Sequence, residues 1–328
     1  MANTGRAQSG ARTFFKGISR SRESSLFLII FAAFLLLALL KGNIFLSLKN
    51  FEGITTGITY DLLMAAGMTV VLILWGIDLS VGAVLALTSV ITAMLLRAGV
   101  SIPLSVALGL LCSLGAGALN GFCVSRLKIA PFIVTLAVMS VARGTALVLS
   151  SGYFLSGLPE SYTHISEGTF IGLPIPYFVV LFVLVVLHLL LKNWKFLNQA
   201  FYVGTNPQSA VLSGINANLV TFVGYLISSL MAGIAAIFMS SKLAMGFSQF
   251  GQLAELRAIA AAVIGGASFT GGSGSILGAT LGVILIAIIS NGFVLLNGSP
   301  NWQQAVSGII LLVAVGVDAI RRRREGRE

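Results

Sequence analysis

Charge is scarce in this 328-residue chain: Asp, Glu, Lys and Arg together supply 9% of it, where soluble proteins carry roughly 25%. So few charges cannot cover a surface that faces water, which excludes a soluble globular fold. Cysteine and histidine occur twice each. Cys112 and Cys123 lie in or beside one apolar stretch, without metal-ligand or disulfide spacing, and read as small apolar residues. His164 and His188 stand alone, which reads as structural rather than catalytic. No Gly-Lys dipeptide occurs, so no P-loop can cradle phosphate. His-Glu-x-x-His, Gly-x-Ser-x-Gly and clusters of His, Cys and carboxylates are missing too, so no catalytic residue, metal or cofactor is expected. Proline-rich and serine-rich tracts are nearly absent, which argues against a linker-dominated chain.

Apolar sequence fills the space instead: 57% of residues are hydrophobic, and mean hydropathy is +0.99. Glycine, with 37 residues, fits close helix packing in lipid. A spanning helix needs about 20 mostly apolar residues to cross a layer about 30 Å thick. Cut on that rule, the chain yields spans at 25–40, 55–75, 80–96, 102–122, 131–150, 174–191, 218–240, 255–269, 274–296 and 302–319. The expected fold is all-α, with about ten transmembrane helices and almost nothing outside them. Residues 1–24 form an expected cytoplasmic tail, 25–320 the transmembrane domain and 321–328 a basic cytoplasmic tail. The apolar run 26–40 is read as a retained helix and not a signal peptide, because Lys41 stands where small cleavage-site residues belong.

An amino terminus in the cytoplasm places Arg6, Arg12, Lys16, Arg20, Arg22, Arg126, Lys128, Lys192, Lys195, Arg321 to Arg324 and Arg327 inside. Lys41, Lys49, Arg97, Lys242 and Arg257 then face outward, an asymmetry that follows the positive-inside rule. The net charge of +10 is mostly a topology signal. Its basic clusters abut an apolar helix, so membrane lipid is the expected partner and nucleic acid is not. The connection 151–174, the longest external one, carries only Glu160 and Glu167 as charges and is expected outside.

Four stretches depart from plain hydrophobic sequence. Gly-Ile-Asp-Leu-Ser-Val-Gly at 76–82 puts Asp78, Ser80 and Gly82 between the second and third spans. An acid there marks a functional site by default, or else Asp78 or Ser80 caps the third helix. Pro131 opens the fifth span, followed by Phe132 and Thr135, and suits a first helical turn. At 203–216, Asn206 is a good N-cap, Pro207 a good first residue and Gly214 a good stop, so a helix of about two turns is expected. That helix is either a connector or an element that docks on a cytoplasmic motor. The stretch 254–274 ends in Gly271, Gly272 and Gly274, followed by Gly278 and Gly282, whose Gly-x-x-x-Gly spacing, like that of Gly117 and Gly121, lets backbones approach. Asp61 and Arg143, placed at similar depth in different spans, are expected to form an intramembrane ion pair or to face a wet cavity, unless Arg143 snorkels to the headgroups.

Taken in order, the stretches 76–82, 131–137, 204–216 and 255–274 resemble the permease subunits of ribose-type sugar ABC importers, and the likeness covers nearly the whole chain. The resemblance implies a type II importer fold and half of a translocation pore. The implied partners are a second permease copy or a paralogue, cytoplasmic ABC ATPase subunits and a periplasmic sugar-binding protein. The implied place is the bacterial inner membrane, with both termini cytoplasmic. By the same resemblance, Gly204, Asn206, Pro207, Ala210, Ser213, Gly214 and Asn216 form the coupling segment that docks on the ATPase. Asp78, Ser80, Gly82, Phe132 and Thr135 form the translocation path or its hinge. Trp75, where a second glycine often stands, Arg257, where aspartate often stands, and Ala267-Ser268-Phe269-Thr270 depart from the family pattern. The reading is therefore ATP-driven import of a monosaccharide by a subunit with no chemistry of its own. The alternative is a secondary transporter or facilitator working alone, for which broken helices and inverted repeats are expected. A membrane-embedded enzyme would need polar clusters that the chain lacks.

Overall fold

The computed structural model describes residues 22–299 and isolated positions between 302 and 316. The helices are α1 (Arg22–Phe45), α2 (Leu48–Ile73), α3 (Val81–Arg97), α4 (Ile102–Ser125), α5 (Pro131–Ser150), α6 (Glu160–Thr163), α7 (Ile175–Asn193), α8 (Lys195–Thr205), α9 (Pro207–Leu212), α10 (Ala217–Leu243), α11 (Ala254–Ile264) and α12 (Ile276–Leu295). Strands β1 (Thr169–Phe170) and β2 (Leu173–Pro174) make one small antiparallel ribbon before α7. The chain is a predominantly helical, multi-pass membrane protein.

The expected count of about ten spans is met in part. Among the described residues, 7 helices are long and apolar enough to cross a membrane, namely α1, α2, α4, α5, α7, α10 and α12. The expected third span is α3, a shorter apolar helix of 17 residues. The expected eighth span is α11, whose 11 residues reach about 16 Å, half the hydrocarbon thickness. The expected tenth span and the basic tail with Arg321 to Arg324 lie outside the described residues, apart from isolated positions, as does the expected amino-terminal tail up to residue 21; its last three residues, 22–24, open α1.

Local chemistry sets the helix starts. Ser47 accepts from the Asn50 amide at 3.3 Å, Asn216 from the Leu219 amide at 3.1 Å and Ser275 from the Gly278 amide at 3.2 Å. Each cap satisfies one amide that the first turn leaves without a partner. Proline sits in the first turn of α4, α5 and α7, where its missing N–H costs nothing.

Around the core, α2, α3 and α10 lie innermost. Every α2 residue from Leu62 to Ile73 is buried, as expected of a helix apolar all round. By contrast α1 is largely exposed along its length. Backbones approach where side chains vanish. A Cβ on Gly117 would lie 2.8 Å from the Ser229 Cβ, and one on Gly121 2.9 Å from the Phe222 carbonyl oxygen, so α4 lies flush on α10. Gly278 and Gly282 bring α12 onto α11, where a Cβ would overlap the Gly265 and Ala261 carbonyls. Beyond the end of α10, the connection 151–174 is folded onto that helix. Tyr162 Oη meets Ser240 Oγ at 2.6 Å, and Ser241 Oγ donates to the Tyr162 carbonyl at 2.8 Å.

Gly282→Val should therefore lower the midpoint of thermal unfolding in detergent by several degrees, whereas Gly115→Val, whose Cβ meets open space, should leave it unchanged. Equal midpoints for the two variants would contradict this packing.

Candidate functional site

Two helix interruptions meet inside the bundle. The first follows α2. Leu74 ends the helix, Trp75 turns left-handed at φ 62, and the chain runs irregularly to α3 at Val81. Gly76 passes against α10, where a Cβ would lie 2.5 Å from the Tyr225 hydroxyl. The second interruption follows α10. Residues 244–253 run back along α3, with Gly246 against Ser89 and Ala93 and Gly251 against Gly82. From Ser89 to Gly82 that descent is about 10 Å at 1.5 Å per residue. A Cβ on Gly251 would lie 2.8 Å from the Gly82 carbonyl oxygen, so the interruptions touch. Unwound peptide at membrane depth is tolerated only where protein or trapped water satisfies its polar groups.

Asp78 closes the first interruption from within. It is fully buried, with 0% exposed, and no cation pairs with it among the described residues. Its Oδ1 accepts the Ser80 amide at 3.0 Å and the Ser80 hydroxyl at 2.6 Å. Its Oδ2 accepts the Ser228 hydroxyl of α10 at 2.8 Å. Asn120 of α4 donates to Ser80 Oγ at 2.8 Å, which fixes the direction in which that hydroxyl donates. Three chain segments thus meet at one carboxyl group: the turn itself, α10 and, through Ser80, α4. Thr135 of α5 joins them, its hydroxyl 3.3 Å from the Ile77 carbonyl.

The cap reading of Ser80 is modified by this geometry. Ser80 occupies the N-cap position of α3 but makes no side-chain cap bond. Its hydroxyl serves Asp78 instead. Phe132, expected on the same path, is exposed on α5 and stays apart from the cluster. Asn120 and Ser228 went unassigned in the sequence. Both are polar residues inside apolar spans, Asn120 beside Gly121 and Ser228 beside Ser229, and that placement is the available signal.

The expected Asp61 and Arg143 pair does not form. Helix α2 starts seven residues before the expected span, and Asp61 pairs with Arg257 of α11, Oδ1 to Nη2, at 3.2 Å. Arg143 instead donates from Nη1 to the carbonyls of Ser248 and Phe250, both at 2.7 Å. It closes the second interruption by satisfying backbone oxygens. Depth alone could not reveal this, because the acceptors belong to the main chain.

At the end of the bundle beside the first interruption sits the expected short helix, α9. Asn206 caps it by accepting from Ser209 N at 3.0 Å, and Pro207 opens it. Gly214 ends it at φ 83, with Ile215 N bonded to the Ala210 carbonyl at 3.0 Å and Gly214 N to the Val211 carbonyl at 2.9 Å. Those two bonds form the Schellman pattern of a helix stop. Asn206, Pro207, Ser213, Gly214 and Asn216 are exposed, whereas Ala210 and Gly204 are buried. Ala210 therefore holds the segment together and presents nothing outward. Val211 and Leu212, missed in the sequence, are the outward apolar side chains, with Leu212 89% exposed. Behind α9, Gly204 presses on the end of α2, where a Cβ would overlap the Ile73 carbonyl. The same carbonyl accepts Gly272 N at 2.8 Å. The segment leading into α9 thus touches α2 two residues before the turn at Trp75.

Comparison with known proteins agrees with this architecture. Residues 50–315 match the family described as branched-chain amino acid transport system, permease component. The ribose import permease protein RbsC of Bacillus subtilis is 36% identical, over 89% of this chain and 91% of its own length. The autoinducer 2 import system permease protein LsrC of Yersinia enterocolitica is 33% identical over 91% and 82%. The L-arabinose ABC transporter permease protein AraH of Azospirillum brasilense is 32% identical over 94% and 89%. No solved structure matches significantly.

Asp78→Asn turns one of two acceptor oxygens into a donor facing groups that already donate, which costs about 1–3 kcal/mol. The variant should fold with a lower unfolding midpoint than Ser228→Ala, which removes a single bond. A midpoint equal to wild type would show that the carboxyl is not held as described.

Proposed function

The chain belongs to the permease-component family of the branched-chain amino acid transport systems, and on that premise we propose that it is the pore subunit of an ATP-driven monosaccharide importer. Relatives whose names specify ribose and L-arabinose support the sugar. The observation that carries the coupling role is the capped helix α9, which exposes Val211 and Leu212 and directly follows α8, whose Gly204 presses on the end of α2. Force applied at α9 reaches the interruption through Gly204 and Ile73, a contact too close to slip. Asn206, Pro207, Ser213, Gly214 and Asn216 hold the docking tip. Asp78, Ser80, Gly82 and Thr135 form the hinge.

In this reading the chain pairs with a second permease, a copy or a paralogue. ATP is hydrolysed by separate ABC ATPase subunits at α9, and sugar arrives from a periplasmic binding protein at the end carrying 151–174. The α9 end then faces the cytoplasm, as do both termini. The transmembrane domain is 25–320, flanked by cytoplasmic tails 1–24 and 321–328. The chain itself carries no catalytic group, metal or cofactor. Broken helices meeting inside the bundle also favour a second reading, a carrier that works alone. ATP-independent sugar exchange by the purified chain would support that reading.

Leu212→Asp and Gly214→Val should each uncouple the reconstituted transporter, with insertion and folded yield kept and sugar-stimulated ATP hydrolysis reduced about tenfold. For Gly214→Val the cause is a β-branched residue forced to φ 83, a strain of about 1–2 kcal/mol. Unchanged stimulated hydrolysis in both variants would remove α9 from the coupling path. Orientation has its own check. A cysteine replacing Tyr153, 74% exposed, should react with an impermeant thiol reagent in intact cells, and reaction only after permeabilisation would invert the topology.

A further inference from the structure

A cavity of about 610 Å3 opens between the first half of α2, the start of α11 and the second half of α12. Small-molecule sites run from about 300 to 1,000 Å3, so there is room for one monosaccharide and its first waters. Its walls include Gly53 and Gly57, the ion pair of Asp61 and Arg257, and Ser290 and Asn291. Asp61 lies about 20 Å from either end of α2 at 1.5 Å per residue, well inside a spanning helix.

The ion pair is loose. Arg257 Nε lies 3.3 Å from Asp61 Oδ2 and Nη2 lies 3.2 Å from Oδ1, against about 2.7–2.9 Å for a tight charge-assisted bond. Arg257 Nη1 reaches only the Gln252 carbonyl, at 3.3 Å. A guanidinium has five N–H groups and a carboxylate about four lone-pair sites. Two N–H groups and at least one lone pair are therefore left over. The side chains remain 32% and 26% exposed toward the cavity. A lipid chain cannot satisfy such groups, whereas hydroxyls can. A second polar edge comes from Asn291, which exchanges amide bonds with Asn50 at 2.8 and 3.3 Å. One and two turns before Asp61 on the same face of α2, a Cβ at Gly57 or Gly53 would meet nothing within 4 Å, so those glycines create open volume rather than close packing.

We propose that this cavity is a hydroxyl-recognising subsite for the carried sugar, with one hydroxyl donating to Asp61 and its neighbour accepting from Arg257. The charges cancel, so the subsite takes a neutral polyol in preference to an anion or a cation. The proposal rests on the transport reading above and adds that this subunit itself contacts and discriminates its solute.

The test uses the whole transporter in lipid nanodiscs, open to reagent from both faces. Gly57→Cys, in a chain with Cys112→Ala and Cys123→Ala, should react with a small charged methanethiosulfonate. The probe is whichever of D-ribose and L-arabinose the reconstituted wild type imports. That sugar should slow the reaction in a saturable way, about threefold where it stands at twice its Kd. Gly57→Leu, which fills open space, should keep folded yield and basal ATP hydrolysis but cut import about tenfold. An unreactive thiol, or labelling indifferent to the sugar, alongside intact wild-type import overturns the subsite alone. So does a Gly57→Leu variant that imports normally. Import of neither sugar by the wild type sinks the transport reading, and the subsite with it.

Discussion

No water inside a bilayer can solvate an unwound peptide, so every break in a spanning helix must be closed by another part of the same fold. That constraint organises this molecule. The break after α2 is closed by a carboxyl group, and the break after α10 by a guanidinium. Asp78 collects amide and hydroxyl donors from the turn and from α10, and Asn120 of α4 steadies one of them. Arg143 does the reverse, supplying donors to two carbonyls left over by residues 244–253. Each charge substitutes for the hydrogen bonds that a continuous helix would have made.

The two closures depend on each other. Gly82 and Gly251 bring the breaks into backbone contact, so the first turn of α3 rests on the peptide that Arg143 holds. Glu255, 9% exposed, lies next to Gly82 and within electrostatic reach of Arg143. A displacement of α2 at Ile73 cannot stay local. Ile73 is in contact with Gly204, and Gly82, in the first turn of α3, is in contact with the peptide leading into α11. The glycines are what allow four backbone segments to share this small volume.

Much of this was legible in the sequence, and the misses have particular reasons. The spans at 102–122, 131–150 and 218–240 are helices close to their expected bounds because apolar length dominates there. The capped helix at 206–213 follows from Asn206, Pro207 and Gly214, whose effects are local. The stretch at 255–269 failed as a span because hydropathy does not distinguish a half-length helix followed by a buried turn from a full crossing. The partner of Asp61 was missed for a different reason. An ion pair depends on which helices are neighbours, and span depth alone is silent on that. Arg143 was harder still, since its acceptors are main-chain oxygens that carry no residue signature. Asn120 carries little signal of its own in the sequence, because its bond to Ser80 depends on the close approach of α4 and α10 that the glycines permit.

Trp75 adds local strain to the break after α2. Its φ of 62 puts a bulky side chain in a backbone well suited to glycine, at a cost of about 1–2 kcal/mol. A Cβ at Gly271 would lie 2.9 Å from the Trp75 Cβ, so the turn is clamped from the far side by the residues leading into α12. The arrangement is a loaded catch. If the clamp loosens, Trp75 can relax to an ordinary backbone conformation and release that strain. The coupling proposed at α9 would therefore act on a turn that already carries strain set when the chain folded.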